Sequence, residues 1–132
     1  MIDKTFVTAG KAIFTVVNND TGNRFTYKVK KLTDKDVWFV SVLNGPDNYT
    51  NYRYIGAVFG TTFKWTKKSR VSPDAVSFKA FAWLWNYLSS NRALPENVEI
   101  FHEGRCGRCG KRLTVPESIE SGFGPECIKL VA

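Results

Sequence analysis

The chain has one histidine and three cysteines, and no apolar run in it comes close to the length of a membrane span. Each shortage removes a class of protein. A helix needs about 20 consecutive apolar residues to cross a bilayer, so a helical membrane protein is excluded, and the stretch from Met1 to Lys11 lacks the apolar segment of a secretory signal. The expectation is a soluble, cytoplasmic protein with no membrane partner. Three cysteines are an odd number that cannot pair off completely, which excludes a disulfide-dense mini-protein. The sequence also lacks a Ser-His-Asp order, a phosphate-cradling glycine loop and a pair of carboxylates set in an apolar run. An enzyme is not expected. Asp34, Asp36 and Asp47 read as turn residues, and if the one imidazole is a metal ligand, none is left for acid–base work.

What the chain does have is enough apolar surface for one small folded domain. Of 132 residues 43% are hydrophobic, with 10 Phe, 5 Tyr and 4 Trp, and each buried ring removes about 150–250 Å² from water. The 19 Lys and Arg outnumber the 12 Asp and Glu, giving a formal charge of +7. That excess clusters in residues 1–33 and 61–72, and clustered cations attract phosphates.

All three cysteines lie near the C-terminus, as His102-x3-Cys106-x2-Cys109-x17-Cys127. Two thiolates in a C-x-x-C pair meet on one ion only if the backbone makes a tight knuckle, and Gly107 and Gly110 make that turn inexpensive. Arg105, Arg108, Lys111 and Arg112 surround the thiolates with positive charge. Gly124-Pro125-Glu126-Cys127 reads as a turn feeding a short helix, with Pro125 at an early helical position and Cys127 in the first turn. One structural zinc ion held by Cys106, Cys109, Cys127 and His102 is the expected outcome, in a treble-clef-like knuckle. A redox pair at Cys106 and Cys109, or three inert thiols, are the alternatives; Glu103 and a water compete with His102 for the fourth position.

The segment from Gly104 to Cys127, GRCGRCGKRLTVPESIESGFGPEC, resembles a cysteine motif of uncharacterised proteins from bacteriophages and their hosts, of the form CGRCGRxLTxPxSxxxGxGPxC. This chain departs from it in having Lys111 and Arg112 where the family usually has one arginine. The resemblance implies a zinc-binding tail on a phage or prophage protein that handles nucleic acid, and it identifies no active site.

Alternation of polar and apolar side chains from residue 11 to 68 predicts five antiparallel strands, Lys11–Asn18, Arg24–Lys31, Val37–Leu43, Tyr52–Phe59 and Thr61–Lys68. In the second, Phe25, Tyr27 and Val29 take one face, and Arg24, Thr26, Lys28 and Lys30 the other. The fifth repeats this, with Phe63 and Trp65 against Lys64, Thr66 and Lys68. Ser72-Pro73-Asp74 reads as the cap and first residues of an aromatic helix running to about Ser90, with Phe78, Phe81, Trp85 and Leu88 on its buried stripe. A short strand, Val98–Phe101, then delivers His102. The fold class expected is α+β: an antiparallel five-stranded meander or small barrel packed on one long aromatic helix. Residues 1–97 form this body and residues 98–132 the zinc-binding module.

The function that follows is nucleic-acid binding, to DNA or RNA, by charge and stacking with little sequence readout. Its candidate contacts are Arg24, Lys28, Lys30, Arg53, Lys64, Lys68, Arg70, Arg105 and Arg108, with Tyr49, Tyr52 and Tyr54 as stacking rings. The competing class is a protein-binding adaptor or an inhibitor of a host enzyme.

Overall fold

The computed structural model describes residues 2–46 and 51–131; Asp47 and Tyr49, named above as a turn and a stacking residue, lie outside the described residues. Strands β1 (Lys11–Asn18), β2 (Arg24–Lys31), β3 (Val37–Leu43) and β4 (Tyr52–Phe59) begin and end where alternation and turn residues place them. The fifth strand is a correction. β5 spans Thr62–Lys64 alone, because the chain then closes a tight turn in which Thr66 accepts from the Ser69 N–H at 3.0 Å. Trp65 therefore leaves the sheet, its indole N–H donates to the Val71 carbonyl at 2.8 Å, and its side chain is exposed.

A sixth strand, β6 (Val98–His102), completes the sheet, whose order is β5-β4-β3-β2-β1-β6 with every pairing antiparallel. The meander is thus six-stranded and open, not a closed barrel. β6 pairs with β1, matching Phe14 with His102 and Val16 with Ile100, so the strand that leads into the cysteine segment is part of the body's own sheet.

One face of the sheet is the core. Phe14, Tyr27, Val29, Val40 and Val58 are fully buried there under the aromatic helix α2 (Val76–Ser89), which contributes Phe81, Leu84, Trp85 and Leu88. The Tyr27 hydroxyl crosses the layers to donate to the Ser77 carbonyl at 2.7 Å, and burial pushes its ionisation well above the ordinary phenol range. Trp85 anchors the helix to the far edge by donating to the Thr61 carbonyl at 2.9 Å. The helix starts later than the Ser-Pro-Asp signal suggests. Ser72 uses its own groups to close a local turn, accepting from Asp74 and Ala75 N–H groups at 3.0 Å each, so the helix opens after Ala75. Its apolar belt is only partly covered, since Trp83 remains 38% exposed.

The register of β3 against β4 shifts between Val40 and Ser41, where β4 carries one extra residue, Ile55, and Gly56 stands opposite Val40. Glycine is required there by space: a Cβ would lie 2.6 Å from the Lys64 carbonyl oxygen and 3.0 Å from the Phe63 ring. Gly56→Ala is therefore expected to destabilise the fold by about 1–3 kcal/mol, read as a lower Tm in thermal unfolding. Helix α1 (Lys4–Val7), capped by Asp3 whose carboxylate accepts from the Phe6 N–H at 3.1 Å, was not signalled by periodicity. Both Phe6 and Val7 are fully buried. Among the described residues no helix is long and apolar enough to cross a membrane.

Candidate metal centre and basic sheet face

After β6 the chain turns at Gly104 and forms a knuckle bounded by an antiparallel bridge between Arg105 and Arg112. Within it the Cys106 N–H donates to the Lys111 carbonyl at 2.8 Å and the Gly110 N–H returns to the Cys106 carbonyl at 2.9 Å. Gly110 has φ +81°, a left-handed conformation that lets the turn close. The turn also aims N–H groups at sulfur, with Arg108 N–H donating to Cys106 Sγ at 3.4 Å.

Two short helices follow, α3 (Pro116–Ser121) and α4 (Cys127–Val131). The second begins at Cys127, so Pro125 precedes the helix and Cys127 opens it. Gly107 N–H donates to the Gly122 carbonyl at 3.0 Å, which ties the knuckle to the end of α3 and brings Cys127 back over it. The Sγ atoms of Cys106, Cys109 and Cys127 consequently all lie within 4.8 Å of one another. Three sulfurs each bound at about 2.3 Å in a tetrahedral zinc shell stand about 3.8 Å apart, so the cluster is within a small adjustment of a metal site. The thiols are free of disulfides, with Cys106 and Cys127 buried.

The electrostatics of the cluster favour sulfur as an anion at one position. Burial raises the Cys106 thiol, but the N–H groups of Cys109, Gly124 and Arg108 and the Cys109 thiol together outweigh it and bring it down to about 7. Cys127 behaves differently. The Arg108 guanidinium, 3.6 Å from its sulfur, draws its ionisation down, while burial and the neighbouring Cys109 and Cys106 sulfurs prevail and raise it.

His102 does not join the thiols. Its Nδ1 accepts the Gly104 N–H at 2.9 Å, which puts the ring proton on Nε2, and Nε2 donates to the Ile119 carbonyl. Both ring nitrogens are thus engaged within the chain, and the fourth ligand expected of His102 is not shown by this arrangement. Its role here is to fasten β6 and the Gly104 turn to α3. Glu103 lies outside the group as well, its Oε1 accepting from the Thr15 hydroxyl at 2.9 Å. Among the described residues no other His, Cys, Asp or Glu joins the three thiols. Cys109 and Cys127 line a surface hollow of about 380 Å³ together with Arg112, Ser118 and Glu126.

The other candidate residues divide by sheet face. The face away from α2 carries Arg24, Lys28 and Lys30 of β2 and Lys64 of β5, which strand order separates by β3 and β4. Register nevertheless links them in one row, Lys11–Lys30–Phe39–Ala57–Lys64, across five strands. At about 4.8 Å per strand that row is about 19 Å long. A second row runs Ile13–Lys28–Ser41–Tyr54. Phe39 stands between the cations of the first row and Phe59 lies in the neighbouring row, 39% and 43% exposed, and Tyr54 meets Phe39 edge to face at 5.6 Å. Lys28 Nζ sits 5.3 Å from the centre of the Tyr52 ring.

Arg53 is not on this face. It is registered opposite Val42, a core position, and the Asn44 amide oxygen, oriented toward it, accepts from its Nη2 at 2.7 Å. Arg70 shares a polar hollow with Arg53, Asn44 and Tyr54, while Lys68 is exposed in the turn beyond β5. Arg108 points at the thiols and Arg105 holds the Gly110 carbonyl at 3.2 Å. Lys11 was missed as a candidate, although its place two residues before Ile13 and four before Thr15 puts it on the same face as both.

Residues 99–131 match a family of unknown function, DUF6011. The match covers β6, the knuckle, α3 and α4, about a quarter of the chain, and leaves the remainder of the sheet and α2 outside it. No curated protein and no solved structure matches the chain.

Proposed function

We propose that this chain is a nucleic-acid-binding protein, not an enzyme, that holds a single strand of DNA or RNA on the helix-free face of its sheet, with one zinc ion on Cys106, Cys109 and Cys127 tying down its C-terminal segment. The observation that carries the reading is the row of Lys11, Lys30, Phe39 and Lys64 across one sheet face. Cations spaced along a surface take backbone phosphates by releasing their counterions, and exposed rings between them stack bases without regard to sequence. Three thiolates are a soft donor set that suits zinc, and the resemblance of the cysteine motif to sequences from bacteriophages and their hosts supports a phage-encoded setting.

Charge reversal at both ends of the face tests this. The double variant Lys28→Glu, Lys64→Glu is expected to lower affinity for a fluorescent oligothymidylate at least tenfold at low salt, measured by anisotropy. Binding by the unaltered protein should itself fall roughly tenfold or more between about 50 and 200 mM salt. Indifference to both changes would refute the proposal.

A protein-binding role has one specific observation in its favour. A mainly apolar hollow of about 430 Å³ lies between β1, β2 and α2, bordered by Phe25, Val76 and the exposed Trp83. An interface there would tolerate salt and fail on Trp83→Ala.

A further inference from the structure

Where the helix-free face meets the knuckle, Lys11, Lys28, Lys30 and Arg105 line one hollow of about 340 Å³ together with Ile13 and Gly110. Four cations converge there, and no acidic residue is part of the wall. Lys11 and Lys30 are directly opposed across β1 and β2, an arrangement in which like charges repel. Among the described residues no carboxylate lies within ion-pairing distance of Lys11, Lys28 or Lys30. Among the described residues, then, the repulsion between Lys11 and Lys30 meets no carboxylate counterion.

The remaining wall is supplied by the knuckle. Arg105 is braced by its bond to the Gly110 carbonyl, and the Lys11 N–H donates to the Gly107 carbonyl at 2.8 Å, which docks the start of β1 on the cysteine turn. Gly110 borders the Lys11 side chain, since a Cβ on it would make ordinary contact with Lys11 Cδ at 3.5 Å. Two units that are separate in sequence therefore build one cationic concavity, and the turn that places Cys106 and Cys109 also places its fourth cation.

From this we infer that the hollow is a phosphate-binding subsite, which takes a backbone phosphate of the strand lying on the sheet and fixes one end of its path. This rests on the nucleic-acid reading above. An oxyanion between Lys11 and Lys30 converts their repulsion into two favourable contacts, and Arg105 adds positive charge to the wall beside them. The subsite would lie at the end of the row that continues over Phe39 to Lys64.

The test uses the full, zinc-loaded chain and the variants Lys11→Gln, Lys30→Gln and Arg105→Gln, with Lys79→Gln on α2 as control. For an oligothymidylate without terminal phosphate, each of the first three is expected to weaken binding roughly threefold to tenfold and to reduce the log–log salt slope by about 0.7, while the control changes neither. Retention of one zinc per chain shows that Arg105→Gln leaves the knuckle intact. Inorganic phosphate is the second probe, and it should raise the Tm of the unaltered protein more than that of Lys11→Gln or Lys30→Gln. If the oligonucleotide responds to Lys64→Glu but not to the three Gln variants, the subsite is overturned and the sheet-face reading stands. If no oligonucleotide binds, yet phosphate stabilises the protein in a Lys11- and Lys30-dependent way, the subsite stands for free phosphate and the nucleic-acid reading falls. Absence of both responses overturns both.

Discussion

Replacing Cys109 with serine is expected to abolish metal binding and to unfold the C-terminal segment. Elemental analysis should find about one zinc per chain in the unaltered protein and none in the variant. The effect is large because metal binding to structural thiolate sites is worth about 10–16 kcal/mol at neutral pH, comparable with the whole stability of a small domain. Apart from the thiols the segment buries little: Leu113, Ser118 and Phe123 are its other buried side chains after Cys106. Limited proteolysis should cut the variant within residues 103–131 while the sheet persists; a variant that stays metal-free and fully protected there would refute the assignment. Zinc retention should also depend on pH in one direction. Each thiol must lose its proton to bind, and Cys127, whose ionisation is raised, enters metal binding protonated at neutral pH. Cys106, brought down to about 7, begins to bind protons as pH falls through that value, so affinity should decline steadily below neutrality. Release on alkalinisation alone would contradict this sign.

The sequence exposes most where a physical period is short and its punctuation is local. Strands β1 to β4 are legible because side chains alternate with period two, and residues such as Gly22 and Gly45 mark the turns between them. The cysteine cluster is legible for a similar reason, since the knuckle turn is made by the residues between its own ligands. Long-range pairing is not written in this way. Nothing within Val98–His102 announces β1 as its partner, and that pairing decides that the sheet has six strands and where His102 points. Spacing brings an imidazole near the knuckle, but the Gly104 N–H and the Ile119 carbonyl, from a helix 17 residues on, determine what its nitrogens do. The fate of Ser72 turns on a competition between two local structures, a helix cap and a self-contained turn, that use the same side chain. Arg53 misled as a member of a basic cluster because proximity in sequence to Tyr52 and Tyr54 places it on the opposite face of the strand. Helix α1, four residues long, is too short to show a period at all.

That shortest helix carries the second large expectation, that Phe6→Ala destabilises the protein by about 3–5 kcal/mol and weakens its hold on zinc. Phe6 is fully buried, 5.7 Å from the Phe123 ring and 6.0 Å from the His102 ring. Its ring also lies against two glycines of the cysteine segment, where an added Cβ would stand 2.7 Å away at Gly107 and 2.8 Å at Gly122. The N-terminal residues thus fill the space beneath the knuckle, and the glycines are small there because the ring occupies what a side chain would. Removing the ring leaves a cavity under the turn that holds Cys106, so the geometry of the three sulfurs should loosen along with the core. Chemical denaturation with and without a zinc chelator separates the two effects. If Phe6 acts only as core filling, the cost of Phe6→Ala is the same in both conditions. The contacts with Gly107 and Gly122 predict otherwise: the penalty should be larger with zinc bound, by a coupling of about 0.5–3 kcal/mol, because only the bound ion holds the knuckle in the position that Phe6 supports. Equal penalties would show that the N-terminal helix and the metal stabilise the chain independently.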